Sequence, residues 1–260
     1  MKKTERQEQS VLELLKRKNT LTLADAMELL GVSESTVRRL FIRLENSGVA
    51  VRRYGGIQLL HDSPAVDYLY EQVEGQFVSQ KRLIGRQAAQ MVENGDVLYL
   101  DSGTTMACLC TELAARLATG EITPLTVFTN SLVNLEILGA HMTVNLIGGE
   151  YRANRRDFCG YLAEETVSGL HFTKCFLGTD GFHLRYGFTA TDFYTARLNE
   201  LAIGNADQRY VLMDSSKFMA ASVVSYSREH TIDGVITDRV PAESLAQRLS
   251  ELGTQLILCR

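Results

Sequence analysis

Asp101-Ser102-Gly103-Thr104-Thr105 follows a short apolar run, Val97-Leu98-Tyr99-Leu100, and opens a helical pattern from Met106 to about Ala118. An acid, a glycine and hydroxyls where a strand turns into a helix suit an anion. The glycine lets the backbone approach a ligand, and the first helical N–H groups have no partner inside the helix. Ser102, Thr104 and Thr105 add hydroxyl donors, whereas Asp101 would repel a phosphate and is better placed to accept bonds from sugar hydroxyls. The same residues also make an ordinary strand-to-helix turn with Ser102 or Thr104 as N-cap.

Other apolar runs end in the same way. Leu125–Phe128 ends in Thr129-Asn130-Ser131, Val144–Ile147 in Gly148-Gly149, Lys174–Leu177 in Gly178-Thr179-Asp180-Gly181, and Arg209–Met213 in Asp214-Ser215-Ser216-Lys217. Alternation of such runs with helical patterns predicts an α/β domain with a Rossmann-like, mostly parallel sheet covered on both faces. Ligands of such sheets sit outside the carboxyl ends of the strands, so these polar ends predict one lined pocket. Arg152, Arg155 and Arg156 read equally as an exposed loop or as contacts to an anion. Lys81, Arg82 and Arg86, on a helix predicted from Lys81 to Val92, read as a solvated face.

The five histidines share no ligand spacing, and Cys108, Cys110, Cys159, Cys175 and Cys259 form neither a disulfide framework nor a metal set. No metal site and no cofactor are expected, and the thiols read as core or surface residues. The N-terminus lacks a signal-peptide core and no apolar run is long enough to span a bilayer, which predicts a cytoplasmic protein.

Charge separates the chain into two parts. The first 56 residues hold eleven Lys and Arg against seven Asp and Glu, a net of +4, and the total of −4 leaves −8 for the remainder. A basic head on an acidic body predicts a polyanion partner for the head. Its sequence predicts a helix over Thr4–Lys18, a capping box at Thr22-Leu23-Ala24-Asp25 opening a short helix that Gly31 ends, and a third helix from Ser33 that Gly48 stops. Val37, Leu40, Phe41 and Leu44 fall on one face of that third helix. Ser33, Ser35, Thr36, Arg38, Arg39 and Arg43 remain for phosphates and base edges. Two short strands around Gly55-Gly56 form a wing that carries Arg52 and Arg53.

Ser33-Glu34-Ser35-Thr36-Val37-Arg38-Arg39, Leu44-Glu45, Gly48 and Arg53-Tyr54-Gly55-Gly56 resemble the DNA-binding domain of DeoR-type bacterial repressors. In that family an acid usually follows the paired basic residues, where this chain has Leu40. Asp101–Thr105, Thr129–Ser131, Gly148-Gly149-Glu150, Gly178–Gly181 and Asp214–Phe218 resemble the family's sensor domain, which is similar to ribose-5-phosphate isomerase. The resemblance spans nearly the whole chain. It implies a winged helix-turn-helix over 1–60, a linker over 61–80 and an effector-sensing domain over 81–260, in a repressor of a carbohydrate operon.

The effector implied is a phosphorylated sugar or related metabolite. Its phosphate is assigned to Ser102, Gly103, Thr104 and Thr105, its hydroxyls to Asp101, Asn130 and Asp180, and a closing contact to Lys217, with Gly148, Gly149 and Gly181 lining the pocket. A homo-oligomer bound to double-stranded operator DNA is expected, because one small head binds too weakly for useful specificity. The alternative is a sugar-phosphate isomerase-like enzyme using Asp101, Asp180 and Lys217, in which a winged head has no role.

Overall fold

The computed structural model describes residues 10, 11, 14, 15, 20–46, 50–53, 56–59, 69–227 and 232–259. The chain divides into two units, Met1–Ala65 and Val66–Arg260.

In the first unit Ser10, Val11, Leu14 and Leu15 are helical; the rest of the helix predicted over Thr4–Lys18 lies outside the described residues. Strand β1 (Thr20–Thr22) leads into helices α1 (Leu23–Leu30) and α2 (Glu34–Asn46), then strands β2 (Ala50–Arg53) and β3 (Gly56–Leu59). The capping box forms as the sequence predicts. The Asp25 N–H donates to the Thr22 hydroxyl at 3.0 Å and the Thr22 N–H donates to the Asp25 carboxylate at 3.0 Å. Gly31 ends α1 in the left-handed conformation, φ 60°, which the absence of a side chain permits.

Val11, Leu15, Leu21, Ala26, Val37, Phe41, Leu44 and Ile57 form the core of this unit, and Leu40 is also buried. β2 and β3 pair antiparallel as the wing, and β1 adds a third strand beside β3 that the hydrophobic pattern did not reveal. Three residues are too few to show a period, and the extended N-cap Thr22 lets this short strand run straight into α1. Gly48, Tyr54, Gly55 and 61–68 lie outside the described residues.

The second unit begins with α3 (Tyr70–Glu74) and α4 (Val78–Ala89), so helix occupies much of 70–80 and α4 starts before Lys81. There follow β4 (Val97–Leu100), α5 (Thr104–Ala118), β5 (Thr126–Thr129), α6 (Leu132–Leu138), β6 (Val144–Leu146), the hairpin β7 (Glu150–Arg152) and β8 (Asp157–Cys159), α7 (Tyr161–Ser168) and β9 (Phe172–Gly178). β10 (Gly181–His183), β11 (Gly187–Ala190), α8 (Phe193–Gly204), β12 (Ala206–Leu212), a 3-10 turn at Ser215–Lys217, β13 (Val224–Ser225), β14 (Gly234–Thr237), α9 (Glu243–Glu251) and β15 (Gln255–Leu258) complete it.

Seven strands form one sheet in the order β15-β14-β12-β9-β4-β5-β6, and all six pairings are parallel. Successive side chains on each strand point to opposite faces. Leu98 and Leu100 therefore pack with Ile84, Leu109 and Leu113 of α4 and α5, while Tyr99 packs with Val167, Ala202 and Leu249 of α7, α8 and α9. Strand order runs outward from β4 to β6 on one side and from β9 to β15 on the other. The chain thus reverses direction between β4 and β9, the place where an open α/β sheet leaves a crevice beyond its strand ends.

Candidate ligand cavity and nucleic-acid interface

A cavity of about 140 Å3 lies at the carboxyl ends of β4 and β9, with Asp101–Met106 on one side and Gly178–Asp180 on the other. Arg155, Thr195 and Lys217 also line it. Gly103 adopts φ 116°, a conformation that side chains disfavour, and no side chain caps α5. The first-turn N–H groups of α5 thus lie at the cavity wall with no partner in their own helix. Together with the cations of Arg155 and Lys217 they make an anion-binding arrangement.

Asp101 is 3% exposed, and both its oxygens are engaged by main chain: Oδ1 accepts from the Ser102 N–H at 2.7 Å and Oδ2 from the Gly178 N–H at 3.0 Å. The carboxylate therefore fastens the ends of β4 and β9 together. Burial pushes its pKa up to about 6, against the pull of those two N–H groups and the Arg155 charge. Asp180 accepts from the Thr191 N–H at 2.8 Å, and Lys217 Nζ donates to the Thr179 carbonyl at 2.6 Å.

Ser102 presents less to the cavity than its hydroxyl suggests, because Oγ donates to Asp157 at 2.9 Å. Asp157, fully buried, also takes two bonds from Arg152, at 2.8 Å from Nε and 2.7 Å from Nη2. Arg152 Nη1 reaches Asp192 at 2.8 Å, and Arg155 lies 3.6 Å from Asp157 and 3.5 Å from Asp192. Burial opposes the charge on Arg152, but the bond to Asp157 and the two carboxylates outweigh it and raise its pKa. Burial likewise opposes the charge on Asp192, yet the Arg152 and Arg155 charges hold its pKa below the usual range.

Asp101, Ser102, Gly103, Thr104, Thr105, Asp180 and Lys217 thus come together, while Asn130, Gly148, Gly149 and Gly181 stand outside the cavity lining. Asn130 Nδ2 donates to the Phe158 carbonyl at 3.0 Å and ties β5 to β8. A side chain at Gly149 would collide with the Cys159 carbonyl and one at Gly181 with the Ala220 carbonyl, so close backbone approach accounts for these two glycines.

The sequence left Arg155 undecided, placed Thr179 among the polar strand ends without giving it a role, and missed Thr195 and Asn134. Asn134 is buried and donates to the Asp101 carbonyl at 2.9 Å and to Thr129 Oγ1 at 3.0 Å. It lies mid-pattern in a short helix, where a polar residue gives no positional signal. Lys81 corrects the reading of a solvated face: it is 2% exposed, and its Nζ donates to the Val73 carbonyl at 2.6 Å. Burial, then the nearby Lys217 charge, lower its pKa. Arg82 and Arg86 are exposed as expected.

Ser33, just before α2, and Ser35, Arg38, Arg39 and Arg43 on it are exposed, and Thr36 is half-buried, away from the buried Val37, Leu40, Phe41 and Leu44. Arg38 is held by Glu34, with Nε and Nη2 donating to Oε1 at 2.9 and 2.6 Å, whereas Ser33 Oγ lies 3.0 Å from Ser35 Oγ. The wing carries Arg52 and Arg53 in β2; their side chains lie outside the described residues.

A winged helix-turn-helix with a basic face, joined to a parallel α/β unit with a polar cavity at its strand ends, defines the class of a DNA-binding regulator with an appended sensor domain. The comparisons agree for both halves: residues 6–63 match the DeoR-like helix-turn-helix domain and 76–239 the DeoR C-terminal sensor domain. The chain belongs to the DeoR family of transcriptional repressors. It is 31% identical to the lactose phosphotransferase system repressor of Streptococcus mutans serotype c, over 96% of this chain and 98% of that protein. It is 32% identical to a putative aga operon transcriptional repressor of Escherichia coli O157:H7, over 98% of this chain and 93% of that one. A solved ribose 5-phosphate isomerase A from Methanocaldococcus jannaschii shares 18% identity over 53% of each chain, with a TM-score of 0.40. Among the described residues no helix is long and apolar enough to cross a membrane.

Proposed function

We propose that this chain represses a carbohydrate-metabolism operon from the cytoplasm and that a phosphorylated sugar or related metabolite binds its cavity and alters operator affinity. The observation that carries the effector class is the uncapped start of α5 facing Arg155 and Lys217 in one cavity. Main-chain donors and two cations suit a phosphate, and Asp180 and the Thr104 and Thr105 hydroxyls suit sugar hydroxyls. The similarity to a repressor of a lactose phosphotransferase system supports a carbohydrate operon.

In this reading 1–60 is the DNA-binding head, 61–80 joins it to the sensor and 81–260 senses the effector. Ser33, Ser35, Thr36, Arg38, Arg39, Arg43, Arg52 and Arg53 contact operator DNA, and the chain works as a homo-oligomer that places two heads on repeated half-sites. An effector that binds better to the form with mismatched heads lowers operator affinity by linkage.

Thermal melting against pentose, hexose, ketose and polyol phosphates tests the effector class. A compound bound only by the folded state raises the melting temperature as it saturates the site, and the same compound must then change operator binding in a gel-shift titration. Absence of a shift with every phosphate ester would reject the assignment of the cavity. Operator binding with unchanged affinity across salt concentrations would reject the assignment of the basic face.

A further inference from the structure

The first turns of α7 and α8 lie side by side. Arg152 bridges Asp157, four residues before Tyr161, and Asp192, the N-cap of α8, and one turn further along Arg197 lies 3.8 Å from Glu164. These two first turns present Tyr161, Leu162, Phe193 and Tyr194, which are 71%, 67%, 66% and 49% exposed. Large side chains of this kind cover roughly 150–250 Å2 each, so the four leave on the order of 500 Å2 of largely apolar surface in one place. A patch of that size is at the upper end of what a monomer shows.

We propose that this face joins two copies of the chain about a two-fold axis. A standard interface buries about 800 Å2 on each partner, and about 65% of a homodimer interface is apolar, which is roughly the area that these four side chains supply. The charges beside them suit a copy of the same face: Arg197 lies 3.8 Å from Glu164 and 2.6 Å from Glu200, so both signs are present on one face, as a self-complementary two-fold contact requires. Aromatic side chains at the centre with charges at the rim is the composition such interfaces favour. The same first turn of α8 holds Thr195, which lines the ligand cavity, so the association face and the cavity share one rigid support.

The proposal rests on the reading that the repressor acts with paired heads, but mass in free solution, without DNA or effector, reports the face alone. Sedimentation velocity of the full chain is the test, on wild type, on the double variant Leu162→Glu/Phe193→Glu, and on Tyr186→Glu, which changes an exposed aromatic next to β11. Wild type and Tyr186→Glu are expected at a multiple of the single-chain mass. The double variant is expected at half that mass or less, with association weakened at least about tenfold. Wild type at single-chain mass, or a folded double variant at wild-type mass, overturns the proposal. Hydrogen exchange of the unmodified chain reads the same face without substitution: amides at 161–164 and 193–196 must slow when protein concentration is raised, and exchange that ignores concentration also overturns it.

Discussion

Asp101 illustrates how a residue chosen for its chemistry acquires a different role from its surroundings. Its carboxylate is taken by two main-chain N–H groups, and burial raises its pKa from 3.8 to about 6. The folded state then holds a proton that the unfolded chain has already released between those two values. Stability attributable to this group is highest below pH 3.8, falls as pH rises toward 6, and stays low above it. In Asp101→Asn that penalty is absent, so its stability relative to wild type should rise between pH 4 and 7 by on the order of 2–3 kcal/mol. Urea unfolding at both pH values measures it, and a constant difference would show that the group titrates normally. Lys217 makes a separate prediction: with Ala there, the cavity keeps its helix start but loses a cation, and effector-induced melting shifts should shrink while operator affinity is unchanged. Arg39→Ala and Arg43→Ala remove exposed cations outside the Glu34 ion pair, and each should lower the salt slope of operator binding by about 1 if it meets a phosphate.

At the level of elements, the most legible segments were those in which local chemistry and hydrophobic period agree. Thr22-Leu23-Ala24-Asp25 encodes both bonds of its capping box, and Gly31 encodes the left-handed stop. Thr22→Ala should cost the head about 1 kcal/mol, read as a lower midpoint in thermal or urea unfolding. Leu40, where the resembled family carries an acid, is fully buried. Leu40→Asp would bury a charge, so it should destabilise the head by about 3 kcal/mol or more and abolish operator binding even though it brings the sequence nearer the family pattern. A stable Leu40→Asp head would mean that the buried face accommodates the acid. The hairpin β7–β8 and the sheet β10-β11-β13 were not foreseen, because their strands are two to four residues long and too short to show a period. The Arg152 network was equally hidden. The partners of Arg152 lie up to 43 residues from it, and nothing local distinguishes an arginine that will meet Asp157 and Asp192 from one on a solvated loop.

Across the whole molecule, the uneven charge marked two units, and the repeated polar strand ends marked the edge of the sheet where the cavity lies. Strand order was not legible: the direction reversal between β4 and β9, which opens the crevice, follows from pairings between segments some 76 residues apart in sequence. The cavity floor has a consequence for how such a protein can diverge. The N–H groups at the start of α5 belong to the main chain, so substitutions at Thr104, Thr105 or Met106 leave them in place, and Gly103, at φ 116°, is where a side chain would disturb them. In the proposed function, recognition of a charged group is thereby inherited with the backbone. On that reading side chains around the rim are free to vary, and descendants of one ancestor could come to answer different effectors without rebuilding the part of the pocket assigned to the charge.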